Sequence, residues 1–179
     1  MTDNSNQTIN KDELHNLLWD TRRSVRYHNR RRLFYDRASN FSDAFTAIAG
    51  SGTVVTAVSQ LPGWVPITMA AITAILSSIN LVFDTKGNAR THHDLSRNFI
   101  EIEKALISPV LTREIFHESQ VRRLEIEAEE PPVLRVLDLV CHNELLKAMG
   151  YNESEYFKIN LFQRIVANFF DLFPSTVKK

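Results

Sequence analysis

Polar side chains recur along one face of two otherwise apolar stretches, and they are the residues with the clearest potential for chemistry. Thr73, Ser77 and Asn80 follow one another at the spacing of a single helix face. Thr46 and Thr53 are spaced in a similar way in the preceding apolar stretch. In hydrocarbon, a hydroxyl or an amide needs a hydrogen-bond partner or water. We therefore predict that these side chains either join two helices within one molecule or line a water-filled path through an assembly.

Arginine side chains form a second set of candidates, located before the apolar stretches. Arg22, Arg26 and Arg30 recur at four-residue spacing on one helix face, and Arg31 follows directly. A guanidinium group matches the geometry of phosphate, so this set could dock an anionic ligand such as a nucleotide. The alternative is an anchor that meets anionic lipid headgroups and fixes the orientation of the protein. Both interpretations remain open from the sequence.

Catalytic motifs are absent from the sequence. There is no Gly-rich phosphate loop and no Gly-x-Ser-x-Gly elbow. His92 and His93 are adjacent, so on a helix they point about 100° apart and are poorly placed to share a metal ion. Cys141 is the only cysteine, which excludes an intramolecular disulfide and a cysteine-based zinc cluster. We expect no enzyme activity, no cofactor and no bound metal.

Charge is distributed unevenly although it balances overall. The chain has 21 basic and 21 acidic residues, which gives no general case for nucleic-acid binding. Between Ala44 and Phe83, however, 40 consecutive residues include no Asp, Glu, Lys, Arg or His. About 20 helical residues cross a hydrocarbon core of about 30 Å, so this window has room for two minimal spans. We predict spans at 41–61 and 64–83, joined by a turn at Pro62-Gly63.

The flanks of the predicted hairpin indicate its orientation. Several arginines precede the first span, Lys86 and Arg90 follow the second, and the turn carries no charge. Because basic residues stay on the cytoplasmic side, both termini are predicted to be cytoplasmic. The second span is the more apolar, whereas the first is rich in Ala, Thr, Ser and Gly and would insert beside it. The alternative is a pair of buried helices in a soluble bundle.

The whole chain divides into four predicted segments. They are a disordered tail at 1–10, a basic cytoplasmic helix at 11–40, the transmembrane hairpin at 41–84 and a cytoplasmic helical region at 85–179. In the last segment, apolar residues recur at heptad-like spacing at Leu95, Phe99, Ile102 and Leu106. Its predicted helices cover 89–107, 112–129, 133–149 and 156–173, with Gly150 as a helix stop. The fold class is all-α, a two-helix transmembrane hairpin extended by a cytoplasmic helical bundle, and we expect it to be oligomeric.

The order of several short motifs resembles one bacterial family. The motifs are RRRLFY at 30–35, NLVFD at 80–84, ARTHHDL at 89–95 and CHNELLKAMGY at 141–151. In this order, over about residues 14 to 173, they resemble the SLATT family, the SMODS- and SLOG-associating two-transmembrane effector domains. No single motif is diagnostic.

The resemblance implies a bacterial antiviral effector. Members of the family are thought to accompany nucleotide-producing synthases, nucleotide sensors or the reverse transcriptases of retrons, and to oligomerise and permeabilise the inner membrane on infection. For this chain it implies a homo-oligomer among the lipids of that membrane, regulated by a cyclic or modified nucleotide or by a partner encoded nearby. The alternative function is a non-toxic, membrane-anchored scaffold or sensor subunit without pore activity.

Overall fold

The computed structural model describes residues 9–171 and 174–177, apart from the side chain of Thr53. Within this part of the chain the regular elements are all helical, so the predicted all-α class is confirmed. The α-helices are α1 (Lys11–Ala49), α2 (Gly52–Val58), α3 (Trp64–Val82), α4 (Thr85–Leu106), α5 (Arg113–Glu129), α6 (Arg135–Ala148) and α7 (Leu161–Val166). Most of the predicted tail at 1–10 lies outside the described residues.

The first predicted span differs from the structure because a break interrupts it. α1 runs from the basic segment to Ala49, so no boundary marks residue 41. Gly50 and Ser51 then separate α1 from the short α2, and the Ser51 hydroxyl accepts a hydrogen bond from the Val54 backbone N–H at 3.4 Å. Glycine disfavours helix and serine favours the start of one, which explains why the helix ends and restarts here. The span predicted over 41–61 is therefore not one continuous helix.

α3 closely matches the second predicted span, 64–83. Among the described residues, the helical stretch that begins at Trp64 is the one long and apolar enough to cross a membrane. None of the residues of α3 is buried. Pro66 lies in its first turn, where the missing backbone N–H leaves no helix hydrogen bond unmade. Length and composition thus make α3 a candidate membrane span.

A tight joint connects α3 to α4. Asp84 has a φ of 39°, in the left-handed region that Asp tolerates better than most residues. Its carboxylate accepts a hydrogen bond from the Gly87 backbone N–H at 3.1 Å, and the Asn88 side chain donates to the Phe83 carbonyl at 2.6 Å. The joint therefore satisfies a backbone donor at the start of α4 and a carbonyl at the end of α3.

The chain forms two compact units. The first unit comprises residues up to Arg30 together with those from His93 onward, and the second unit comprises Arg31–His92. In the first unit, α1, α4 and α5 share a core formed by Leu17, Leu95, Phe99, Ile102, Leu106, Phe116 and Ile126. The heptad-like stripe predicted on α4 is thus part of this core. Burial of these side chains is the main stabilising contribution to the first unit.

A second core in the first unit joins α1 to α6 and α7. It consists of Tyr27, Val136, Leu137, Cys141 and Ala167. The Tyr27 hydroxyl accepts a hydrogen bond from the Leu134 backbone N–H at 3.0 Å. The Asp171 carboxylate likewise accepts from the Val136 backbone N–H at 2.9 Å. Side chains from two distant segments therefore satisfy donors at the start of α6.

The C-terminal helix is shorter than predicted. In place of a helix over 156–173, α7 covers only Leu161–Val166, and Phe173 lies outside the described residues. Asn160 and Gln163 form a reciprocal capping box, with side-chain to backbone distances of 2.7 and 3.2 Å, so the helix can begin no earlier than Leu161. By contrast, Gly150 adopts a φ of 79° just after α6, as predicted for a helix stop.

Candidate functional site

A polar cavity of about 530 Å³ lies within the second unit. From α1 it is lined by four oxygen-bearing side chains, Ser39, Ser42, Asp43 and Thr46. The sequence places them on one face because they recur at three- and four-residue intervals. Ser39 and Ser42 are buried, whereas Asp43 is half exposed.

The opposite wall of the polar cavity comes from the end of α3 and the start of α4. Its polar residues are Ser77, Asn80, Asp84, Thr85 and Lys86. The Thr85 hydroxyl donates a hydrogen bond to the Asn80 side-chain oxygen at 2.7 Å. This contact gives the Asn80 side chain a partner on the next helix.

One ion pair joins the two walls of the polar cavity. Lys86 Nζ lies 2.8 Å from Asp43 Oδ2, and the two side chains are 70% and 52% exposed. At that exposure the contact contributes little to stability, about 0 to 1 kcal/mol.

An apolar groove of about 780 Å³ is also part of the second unit. Thr46 lines both this groove and the polar cavity, whereas Thr73 lines the groove but not the polar cavity. Thr73 donates its hydroxyl hydrogen bond to the Met69 carbonyl of its own helix at 2.9 Å, not across to α1 or α2. The predicted polar face of α3 is therefore divided between two cavities. The side chain of Thr53 lies outside the described part of the chain.

Two of the four candidate arginines are engaged by carboxylates of the first unit. Arg22 Nε lies 2.7 Å from Glu103 Oε1. Arg30 forms a two-pronged contact with Glu144, with Arg30 Nε 3.1 Å from Glu144 Oε2 and its Nη2 on the other oxygen. Hydrogen bonding to Glu144 raises the pKa of Arg30, against the opposing effect of burial. An anionic ligand would compete with these carboxylates for the two guanidinium groups.

The remaining two arginines have other partners. Arg26 Nη1 donates to the Arg22 carbonyl at 3.2 Å, within the first unit. Arg31 belongs to the second unit, where it donates to the Tyr35 hydroxyl at 2.5 Å and lies 4.7 Å from the centre of the Tyr35 ring. Ligand binding by the four arginines stays a prediction.

The residues of the predicted His-Asn-Glu motif all make structural contacts in the first unit. His142 packs edge-on against Trp19 and Phe157, with ring centroids 5.2 and 5.3 Å away. Asn143 accepts from the Phe157 backbone N–H at 2.8 Å and donates to its carbonyl at 2.7 Å. With Glu144 on Arg30, the motif serves to hold α1, α6 and the following loop together.

The burial of two histidines, His28 and His92, was not predicted from the sequence. His28 is 1% exposed, lies 3.1 Å from Glu130 Oε1 and stacks on Phe99. It lies eleven residues after Leu17, on the helix face that carries Leu17 into the core, and this spacing is the signal that could have identified it. In the second unit, His92 is 3% exposed and stacks on Tyr35 at 5.8 Å between ring centroids.

Comparisons with known proteins add no relative. No family model, no curated protein and no solved structure matches the chain. Among the described residues, no three His, Cys, Asp or Glu side chains are grouped as a metal site would require. The polar cavity is therefore the candidate functional site on geometry alone.

Proposed function

We propose that this chain is a membrane effector. In this proposal residues 41–83 insert into the bacterial inner membrane as a hairpin, both termini stay in the cytoplasm, and several copies assemble to permeabilise the bilayer. The apolar composition of α3 supports it, because this helix has no buried residue and suits a lipid environment better than water.

The helix break at Gly50-Ser51 is the observation that carries the proposal. In hydrocarbon, irregular backbone is tolerated only where it is covered by protein or lines a water-filled space. Gly50 lines the apolar groove, beside Thr46 and Thr73. The Gly50 and Ser51 backbone N–H groups already bond to the Thr46 and Ile48 carbonyls at 2.9 and 3.1 Å, so neighbouring hairpins or water would serve to cover the irregular backbone from lipid. Assembly around a hydrated path accounts for both the break and the polar faces.

Resemblance to the SLATT family extends the proposal to antiviral defence. The trigger would be a nucleotide or a partner protein acting on the cytoplasmic helices. Such a signal shifts the packing of the hairpins only if it binds the two states with different affinity. Rearrangement of the Arg22 and Arg30 ion pairs is one way to couple an anionic ligand to that shift, because the same guanidinium groups would change partners.

Expression in bacteria tests the proposal directly. The wild-type chain should depolarise cells and arrest growth, and Thr73→Val or Asn80→Leu should weaken both effects while carbonate extraction still recovers the chain with the membrane. Thr68→Val is the matched control, because Thr68 is an exposed threonine of α3 that bonds only to its own helix and lines neither cavity.

Two results would contradict the proposal at different levels. Purified chain that stays in solution without detergent excludes the inserted hairpin. Chain that inserts but leaves dye-loaded vesicles and living cells intact excludes the effector and favours the scaffold subunit.

A further inference from the structure

Every polar side chain that lines the polar cavity, except Lys86, carries an oxygen atom, and this determines the ligand chemistry that it favours. Its walls offer hydroxyl groups, one amide and the carboxylates of Asp43 and Asp84. Such oxygen ligands suit hard cations that prefer carboxylate, carbonyl and water. Lys86 is the one cationic side chain among the residues that line this cavity. The hydroxyl groups and the Asn80 amide can donate to an anion as well, but the carboxylates of Asp43 and Asp84 repel it.

A buried hydroxyl provides an independent indication of a bound group. Ser39 is 2% exposed and lines the polar cavity, yet its Oγ has no hydrogen-bond partner among the described residues. A buried hydroxyl left without a partner costs about 1–3 kcal/mol. An ion, or a water that belongs to its hydration shell, would remove that cost.

Charge indicates the valence of the cation. When Lys86 releases Asp43 but remains at the cavity wall, the two carboxylates and its ammonium group leave a single negative charge unbalanced. A monovalent cation neutralises that charge, whereas a divalent ion would leave an excess of positive charge. Neutral hydroxyl and amide oxygens complete a coordination shell without adding further charge.

We propose that the polar cavity binds a monovalent cation and that Lys86 competes with this ion for Asp43. The Lys86 ammonium group already occupies the position of a cation at the Asp43 carboxylate, 2.8 Å away. Because both side chains are largely exposed, the ion pair opens at little cost and exchanges with an ion from solution. The polar cavity is then a cation-selective vestibule, and this reading of its role in transport rests on the proposed function.

Sodium binding can be measured without any permeation. The full chain in detergent micelles is titrated with NaCl, with N-methylglucamine chloride keeping the ionic strength constant, and the excess ²³Na relaxation over empty micelles reports binding. Asp43→Asn should weaken binding roughly tenfold, which corresponds to about 1.4 kcal/mol. Lys86→Met should strengthen it, because the competing ammonium is removed.

Asp36→Asn is the matched control for Asp43→Asn. Asp36 is also a carboxylate on the part of α1 within the second unit, but it pairs with Arg32 and does not line the polar cavity. Equal sodium binding in the two variants would overturn the proposal, since the ions would then be general counterions. Displacement of sodium by micromolar Ca²⁺ would overturn the monovalent assignment.

Planar bilayers separate failure of the site from failure of the proposed function. Under a KCl gradient, wild-type conductance should favour cations, and Asp43→Asn should reduce this preference whereas Asp36→Asn should not. Conductance without cation preference overturns the vestibule and leaves the effector intact. Absence of conductance overturns the effector, and the sodium measurements then decide the site on their own.

Discussion

The two compact units of this protein differ in how far their apolar side chains are buried. In the first unit Phe99 is 0% exposed, and the apolar faces of α1, α4 and α5 converge on one core. In the second unit Leu81 is 82% exposed, and α3 buries none of its residues. Large exposed apolar surfaces are typical of regions that contact another protein or a membrane, so the contrast marks the second unit as the one with such a surface.

Charged contacts differ between the units in the same sense. In the first unit they connect helices that are far apart in sequence, as in Arg22 with Glu103 and Asp20 with Arg123. In the second unit Lys86 and Asp43 make the contact between helices, and it lies at the exposed mouth of a cavity. Ion pairs thus connect the packed helices of the first unit, whereas in the second unit the ion pair between helices lies at the exposed wall of the polar cavity.

Cysteine labelling should give the largest difference between the units. Burial raises the pKa of Cys141 from its ordinary value of 9.0 to about 12, so at pH 8 the reactive thiolate is roughly 10³-fold scarcer than at an exposed site. A cysteine introduced by Asn40→Cys, at an exposed position of the second unit, should therefore react with iodoacetamide at least that much faster. Mass spectrometry of both sites gives the rates, and denaturant should make them similar. Comparable rates in the folded chain would show that the first unit opens readily.

A truncation of the core should have the next largest effect. Phe99→Ala removes a fully buried ring from the first unit and should lower the free energy of unfolding by about 3–5 kcal/mol. Ile75→Ala in α3 is the matched control, because this residue is 59% exposed and should change stability in detergent by less than about 0.5 kcal/mol. Thermal unfolding of both variants in the same detergent measures the difference. Equal destabilisation would mean that α3 packs in a core.

Double-mutant cycles should give a smaller contrast. The two-pronged Arg30–Glu144 pair joins α1 to α6, and we expect a coupling energy of about 1 kcal/mol between Arg30→Gln and Glu144→Gln. The Arg32–Asp36 pair in the second unit lies within one helix turn and should couple by only about 0.3–0.5 kcal/mol. Chemical denaturation of the single and double variants supplies both values. A larger coupling for the local pair would reverse the comparison.

The pH dependence of Asp138 should be the smallest effect. Burial raises its pKa above the ordinary 3.8, and Arg23, 3.3 Å away, opposes the shift only partly. The folded chain then binds more protons than the unfolded chain between these two pKa values, so this contribution to stability falls as pH rises through that window and stays constant above it. Asp138→Asn should remove this slope. The corresponding change in the free energy of unfolding across the window is less than about 1 kcal/mol. Unfolding between pH 4 and pH 7 measures it, and a slope of the opposite sign would contradict the assignment.

Local signals in the sequence were enough to predict the fold class and several element ends. Gly150 stops α6, Thr112 caps α5 through the Ile115 backbone N–H at 3.2 Å, and the α4 stripe enters the core. Each of these depends on residues within one or two helical turns. The break at Gly50-Ser51 was missed because the uniform apolar composition of the predicted span hid a weak signal for the end of a helix. The late start of the last helix, at Leu161 and not at 156, was missed because the Asn160 cap was not recognised.

Contacts between distant residues could not be predicted. Arg22 and Arg30 were taken as candidates for an external anion, yet Glu103 and Glu144 lie 81 and 114 residues further along the chain. Periodicity places a residue on a face of its helix but does not identify what that face meets. For the same reason Ser77 and Asn80 were correctly assigned to one face, whereas the polar cavity that they line depends on α1.

Gly87 has a consequence for how this chain tolerates mutation. A Cβ added at this position would overlap the carboxylate of Asp84, which caps α4, whereas a Cβ at Gly52 or Gly63 would meet nothing. Random substitution followed by selection for intact protein should therefore retain glycine at 87 while accepting other residues at 52 and 63. Because glycine has no Cβ, it fits beside Asp84 at the joint between the apolar α3 and the polar α4. Whether position 87 accepts another residue therefore reports whether that joint has formed.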